Sequence, residues 1–320
     1  MIVVNVGEHA EEFHGLPVFE FPGLGEGPVE RASLPAADAV AWRIGVDVWE
    51  PEEQWEEAFA RFLDTVDAAR VRALVIGTWW EPYEMGPDEV LAALVGARDR
   101  LPSLRALFLG DIVRDESEVS WIKQGRATDL LEAFPAVEEL RVRGGIGLEF
   151  APLRQERLRE LVVETAGLPA EAVRGVAACE FPGLAHLELW LGPSEWGGDA
   201  SVEDLAPILS GERLPALTYL GLCNSEIQDE VCAAVASAPV VTGLEVLDLS
   251  MGVLTDEGAA ALLDGRSLTH LRRLDLSHNY LSEAMRARLR EALEPAGVEV
   301  NVEPGSAEQP GNRRFVAVGE

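Results

Sequence analysis

Leucine-type residues recur along this chain in sets spaced at i, i+3 and i+5, with other residues between them. Residues 268–281 show the full frame: Leu271, Leu274, Leu276, Asn279 and Leu281 fill every fixed position of L-x-x-L-x-L-x-x-N-x-L. Leu274, Leu276 and Leu281 are echoed 27 residues earlier by Leu247, Leu249 and Leu254, and 27 earlier again by Leu220, Leu222 and Ile227. Upstream, the shorter frame L-x-x-L-x-L recurs at Leu184/Leu187/Leu189, Leu158/Leu161/Val163, Val137/Leu140/Val142, Leu104/Leu107/Leu109 and Val71/Leu74/Ile76. Each set predicts a strand, because alternate residues of an extended segment share a face. One unit cannot bury its own leucines, so neighbours stack into a continuous core, at about 1.5–3 kcal/mol for each buried leucine.

Between the strands the period changes to that of helices. Trp55, Phe59, Phe62, Leu63 and Val66 share one helix face. Pro87 suits the first turn of a helix that carries Val90, Leu91, Leu94 and Val95 inward. Ser282-Glu283, Thr255-Asp256 and Gln228-Asp229 each open an Ala- and Leu-containing helix with a polar cap. Successive strand leucines Leu74, Leu107, Leu140, Leu161, Leu187 and Leu220 lie 33, 33, 21, 26 and 33 residues apart, so the repeat between Leu140 and Leu161 has little room for a helix. Val40, Trp42, Ile44 and Val46 predict an atypical first strand, and Val298, Val300 and Val302 a last one. The Pro- and Gly-rich stretch 16–28 reads as a cap on the open end of the sheet; its Gly23, Gly25 and Gly27 lack the strand-to-helix setting of a dinucleotide fingerprint. Residues 303–312 read as a linker, and 315–318 as a short apolar end that pairs back onto the body.

The chain resembles the leucine-rich repeat superfamily, nearest to its ribonuclease-inhibitor-like branch, of which the stretch 254–263, Leu-Thr-Asp-Glu-Gly-Ala-Ala-Ala-Leu-Leu, is a typical helix opening. It also resembles a bacterial family of single-chain leucine-rich repeat proteins whose genes neighbour radical-SAM and ATP-grasp-type enzymes. The resemblance implies an α/β leucine-rich repeat solenoid, a horseshoe with a curved parallel sheet of about nine to ten strands and helices on the convex side. The expected organisation is one continuous solenoid over 47–302, preceded by a cap and first strand at 1–46 and followed by a linker and tail at 303–320. The consensus Asn position holds Trp79, Ile112, Gly145, Gly192, Ser225 or Gly252 in the other repeats, so the asparagine ladder of the turns is expected only at Asn279.

A formal charge of −30 over 320 residues sets a field that repels phosphates, so nucleic acid is not an expected partner. No stretch reaches the roughly 18 apolar residues of a membrane span, and the start has no positive region followed by an apolar run; membrane association is not expected and a cytoplasmic location is. Cys179, Cys223 and Cys232 are too few and too unevenly spaced for a disulfide framework and read as buried thiols.

Residues alternating with the fixed leucines are expected on the concave face, where partners bind. That face offers Phe108, Arg141, Arg143, Glu188, Trp190, Tyr219, Asp248 and Asp275 as candidate contacts, with aromatics and arginines as the anchors. Asp248 and Asp275 fall at the same position of adjacent strands, about 4.8 Å apart, and a cationic group of the partner is expected to relieve their repulsion. The loops after the strands add Trp80, Tyr83 and Trp196 as a second, rim surface; Trp79 and Trp121 either join it or plug their loops. The acidic loop 111–118 reads as solvated. No His-x-x-x-His, Cys-x-x-Cys, Gly-x-Ser-x-Gly or phosphate-loop motif occurs, so no catalytic residue, metal or cofactor is expected. The expected function is a non-enzymatic scaffold binding a protein or peptide with basic groups. The alternative, implied by the second resemblance, is an accessory or small-molecule-binding protein of a bacterial biosynthetic enzyme cluster, with a neighbouring enzyme as partner.

Overall fold

The leucine frame and the helix period both hold in the computed structural model, which describes residues 6–27, 29, 31–305 and 313–319. The chain forms two compact units, residues 1–150 and 151–320.

The first unit contains β1 (Glu12–Phe13), β2 (Leu16–Glu20), β3 (Ala41–Ile44), β4 (Ala73–Ile76), β5 (Ala106–Leu109) and β6 (Glu139–Arg143). Its α-helices are α1 (Trp55–Thr65), α2 (Asp88–Gly96) and α3 (Thr128–Ala133). The β1–β2 pair is antiparallel and the remaining pairs are parallel, in chain order. The register aligns Trp42 with Leu74, Leu74 with Leu107 and Leu107 with Leu140, so one row of large side chains faces the helices. The aromatic stripe of α1 is core, as its spacing predicts: Trp55, Phe59 and Phe62 are buried, and the Phe62 ring lies 5.5 Å from that of Trp42.

The opposite face of this sheet is covered as well. Ala41, Ala73, Val75, Ala106 and Phe108 are wholly buried with Phe13, and Ala10, Leu16 and Val18 pack beside them. The amino-terminal segment therefore supplies two strands, of which β2 extends the sheet while Phe13 of β1 reaches across its face to Phe108, which its composition did not announce. Among the described residues twelve strands form, more than the expected nine to ten, because β1 and β2 carry no leucine frame.

The second unit contains β7 (Glu160–Glu164), β8 (His186–Gly192), β9 (Tyr219–Ser225), β10 (Val246–Asp248), β11 (Arg273–Asp275) and β12 (Glu299–Asn301). Its α-helices are α4 (Ala170–Ala178), α5 (Val202–Ser210), α6 (Gln228–Ser237), α7 (Asp256–Asp264) and α8 (Glu283–Leu293). Every strand pair described within it is parallel, with Leu187, Leu220, Leu247, Leu274 and Val300 in register. The boundary between the units falls where the short repeat predicted no helix: among the described residues none forms between β6 and β7.

Polar side chains tie one repeat of the second unit to the next. Asp229 accepts from Thr255 N at 2.8 Å, Thr255 Oγ1 at 2.7 Å and Gly258 N at 3.2 Å. Asp256, 27 positions on, accepts from Ser282 N at 2.8 Å and Ser282 Oγ at 2.6 Å. Asn279 donates to the Leu249 and Leu276 carbonyls and accepts from Leu254 N. Two repeats earlier the equivalent Leu222 carbonyl is reached by Gln228 Nε2 at 3.1 Å, a different residue serving the missing asparagine.

Candidate interaction surfaces

In the first unit the concave-face candidates are enclosed. Phe108 is wholly buried, its ring 5.9 Å from that of Phe13. The Arg141 guanidinium stands 5.4 Å from the Phe108 ring and 6.0 Å from that of Phe13. Arg143 is buried, donates to the Ile112 carbonyl at 3.1 Å and lies 3.7 Å from Asp111. A sheet face of alanines, Val75 and Phe108 is too apolar to leave to water, and the chain covers it with its own amino-terminal segment.

Asp111, expected in a solvated loop, is fully buried at the centre of an ion cluster. Arg43 donates to its carboxylate at 2.9 Å, to its carbonyl at 3.0 Å and to Glu20 at 2.6 Å. His9 Nδ1 lies 3.3 Å from the same carboxylate. Asp111 and Glu116 push the His9 imidazole up to about 9, so it is charged at neutral pH. A buried carboxylate surrounded by cations of its own chain is a structural clamp rather than a cation site.

The open face of β8–β11 carries a second polar cluster. Tyr219 Oη lies 3.1 Å from Glu188 Oε2 and 3.1 Å from Asp248 Oδ2, and Trp190 Nε1 donates to Glu188 Oε1 at 2.8 Å. The His186 ring stacks on Tyr219 with centroids 3.7 Å apart. Gly221 makes the space: a Cβ there would fall 2.8 Å from Glu188 Cγ. Burial acts to raise the Glu188 carboxyl, but the hydrogen bonds of His186, Trp190 and Tyr219 outweigh it and hold the group below its usual range. Burial, with the charges of Asp275 and Glu188, pushes Asp248 up to about 6. The phenol has one hydrogen for two carboxylates. Below pH 6 Asp248 brings its own proton, and a chain runs from Asp248 through Tyr219 to Glu188.

The register does pair Asp248 with Asp275, as the repeat predicts. Asp275 is already satisfied from within: Ser277 Oγ, Asn301 Nδ2 and Arg273 Nη2 reach it at 2.6, 2.9 and 2.5 Å. Trp190 is wholly buried and Tyr219 partly so, which leaves neither free as an aromatic anchor. Burial and the neighbouring carboxylates push the Cys223 thiol well up, so it is no nucleophile. All three cysteines are free and buried, in line with the sequence reading.

The rim of the first unit is different. Trp49 is 67% exposed, Trp80 43%, Trp121 51% and Ile146 44%. They stand on the loops after β3, β4, β5 and β6, and backbone hydrogen bonds stitch those loops together: Val46 N to Thr78 O at 3.0 Å, Lys123 N to Pro82 O at 2.9 Å, Gln124 N to Ile146 O at 2.7 Å. Trp79 instead turns inward and donates from Nε1 to the Met85 carbonyl at 2.9 Å. Tyr83 is half-buried beside Trp80's loop, its hydroxyl 3.4 Å from Glu81 Oε1. Trp196, in the second unit, is half-buried. Trp49 escaped the sequence reading, although treating the loop after the first strand like the others places it on this rim.

Strands and helices alternating in a leucine-rich repeat register define the class: an α/β leucine-rich-repeat-type protein. A crystal structure of a Bacteroides fragilis protein, a structural genomics target, is similar at 27% sequence identity and a TM-score of 0.74, covering 84% of this chain and 74% of that one. An internalin (inlF) from Listeria monocytogenes overlaps at 14% identity and a TM-score of 0.25, over 75% and 73% of the two chains, too little to bear on this one. No family model matches the chain, and no curated protein matches it. No described helix is long and apolar enough to cross a membrane.

Proposed function

We propose that this chain is a non-enzymatic protein-interaction scaffold that docks a basic protein or peptide segment on the tryptophan rim of its first unit. The carrying observation is the set Trp49, Trp80, Trp121 and Ile146, four large apolar side chains exposed on successive loops that backbone hydrogen bonds join. Single exposed apolar residues are ordinary, whereas a run of three tryptophans on adjacent loops is the composition of binding hot spots. Glu50, Glu81, Glu84, Asp115 and Glu118 stand on the same loops within a chain of formal charge −30, which favours Lys and Arg opposite them. The concave face, the site the sequence favoured, is closed by the amino-terminal segment in the first unit and largely engaged in its own hydrogen bonds in the second.

A peptide array graded from acidic to basic, read by quenching of tryptophan emission, tests this. Basic peptides with an apolar residue should bind, more weakly as salt rises. The double variant Trp80→Ala with Trp121→Ala should lose at least about tenfold in affinity with an unchanged melting temperature, since both side chains are half exposed. Absence of any charge preference, or equal binding by the double variant, overturns the reading.

A further inference from the structure

The rim of the second unit has an occupant already. Asn224, Met251 and His278 stand 27 residues apart, each four positions after a strand leucine, and all three adopt left-handed backbone with φ of 56°, 66° and 55°. Asn tolerates that conformation; methionine rarely does, and such outliers point to a function for the turn. Across this row lies the carboxy-terminal tail. Asn224 Nδ2 donates to the Val318 carbonyl at 2.6 Å and Val318 N donates back to Asn224 Oδ1 at 2.9 Å. Ala317 N donates to the Met251 carbonyl at 2.8 Å. The Tyr280 hydroxyl accepts from Phe315 N and donates to the Phe315 carbonyl, both at 3.0 Å.

All five bonds engage main-chain groups of the tail. A carboxamide that both gives and takes a hydrogen bond at one residue does what a neighbouring strand would do, the chemistry of β-augmentation. Among the described tail residues the Val318 side chain is buried and that of Val316 partly so, while Phe315 and Ala317 face solvent. The Trp196 indole ends the groove: a Cβ on Gly319 would lie 3.5 Å from Trp196 Nε1.

We propose that this rim is a binding groove for an extended peptide segment with one small β-branched residue, and that the chain's own residues 315–318 fill it as a tethered ligand. The partner is an extended strand of another protein whose Val, Ile or Thr takes the place of Val318. Because recognition is by main chain and one small pocket, a tether holding the tail at an effective concentration of order millimolar is what lets so few contacts persist. The groove is independent of the tryptophan rim, and either reading can fail alone.

The test uses the full chain and, as probe, a fluorescent peptide of residues 313–320. Val318→Asp should unseat the tail, read as at least tenfold faster hydrogen exchange at the amides of residues 317 and 318. The freed groove should then bind the probe at least tenfold more tightly than the wild-type chain does. Adding Asn224→Gly, which keeps the left-handed turn and removes the carboxamide, should abolish that binding. Tail amides that stay protected in Val318→Asp, a released tail with no gain in probe binding, or binding that survives Asn224→Gly each overturn the proposal.

Discussion

Asp248 is buried beside Asp275 and Glu188, and that crowding of carboxylates sets the pH behaviour of the second unit. Asp248 is held at about 6 in the folded chain, above the ordinary 3.8 of the free side chain. A carboxyl raised on folding stabilises fully when pH lies below its unfolded value, and the advantage is lost as pH rises through the folded one. The second unit should therefore weaken between about pH 4 and 6. Asp248→Asn removes the titration and should stabilise the wild-type fold by about 2–3 kcal/mol at pH 7.5 while changing little at pH 4, measured by urea unfolding at both. An equal effect at the two pH values defeats the assignment. The sequence made the facing of this residue legible, since Leu247 and Asp248 alternate and the register with Leu274 and Asp275 holds. It did not make its burial legible. That depends on Gly221, which lets Glu188 and Tyr219 fold down over the strands, and a glycine in a strand carries no mark of what approaches it.

Between repeats, Asp229 and Asp256 act as staples. Each stands in the first turn of its own helix and takes the backbone and hydroxyl of the next cap residue, Thr255 or Ser282. Acidic groups at helix N-termini also meet the positive end of the helix dipole. Asp229→Ala leaves Thr255 N and Gly258 N without their acceptor and should cost about 1–2 kcal/mol, whereas the exposed neighbour Glu230→Ala should fall within about 0.5 kcal/mol of wild type. Comparable thermal shifts for the two would remove the staple from the account. The sequence foretold the Thr255 and Ser282 caps because they recur with the leucines, whereas the helix opened by Gln228-Asp229 has no side-chain cap. Gln228 in the role of Asn279 was not foretold, since a longer amide reaching back from the helix fits no fixed consensus position. The strands β1 and β2 stayed hidden for a related reason: two and five residues among prolines and glycines give no period to read.

The whole chain is strongly acidic, with 56 Asp and Glu against 26 Lys and Arg, so ion pairing cannot neutralise it. Self-repulsion at a formal charge of −30 should be relieved by salt, so the melting temperature should rise between about 20 and 300 mM sodium chloride. A fall over that range would mean that ion pairs such as Arg43 with Asp111 outweigh the repulsion. Long-range contacts lay beyond sequence reasoning altogether: His14 Nδ1 meets Glu139 Oε2 at 2.9 Å across 125 positions, and Asn224 meets Val318 across 94. No periodicity encodes such pairs. The first of them orders events in time. Phe13, Leu16 and Val18 emerge from the ribosome before the sheet they cover has been made, and at about 5–20 residues per second the 125 positions to Glu139 take roughly 6–25 s to synthesise. Through that interval β2 already has β3 to pair with, but His14 has no carboxylate to meet, and that contact closes only once β6 has been made.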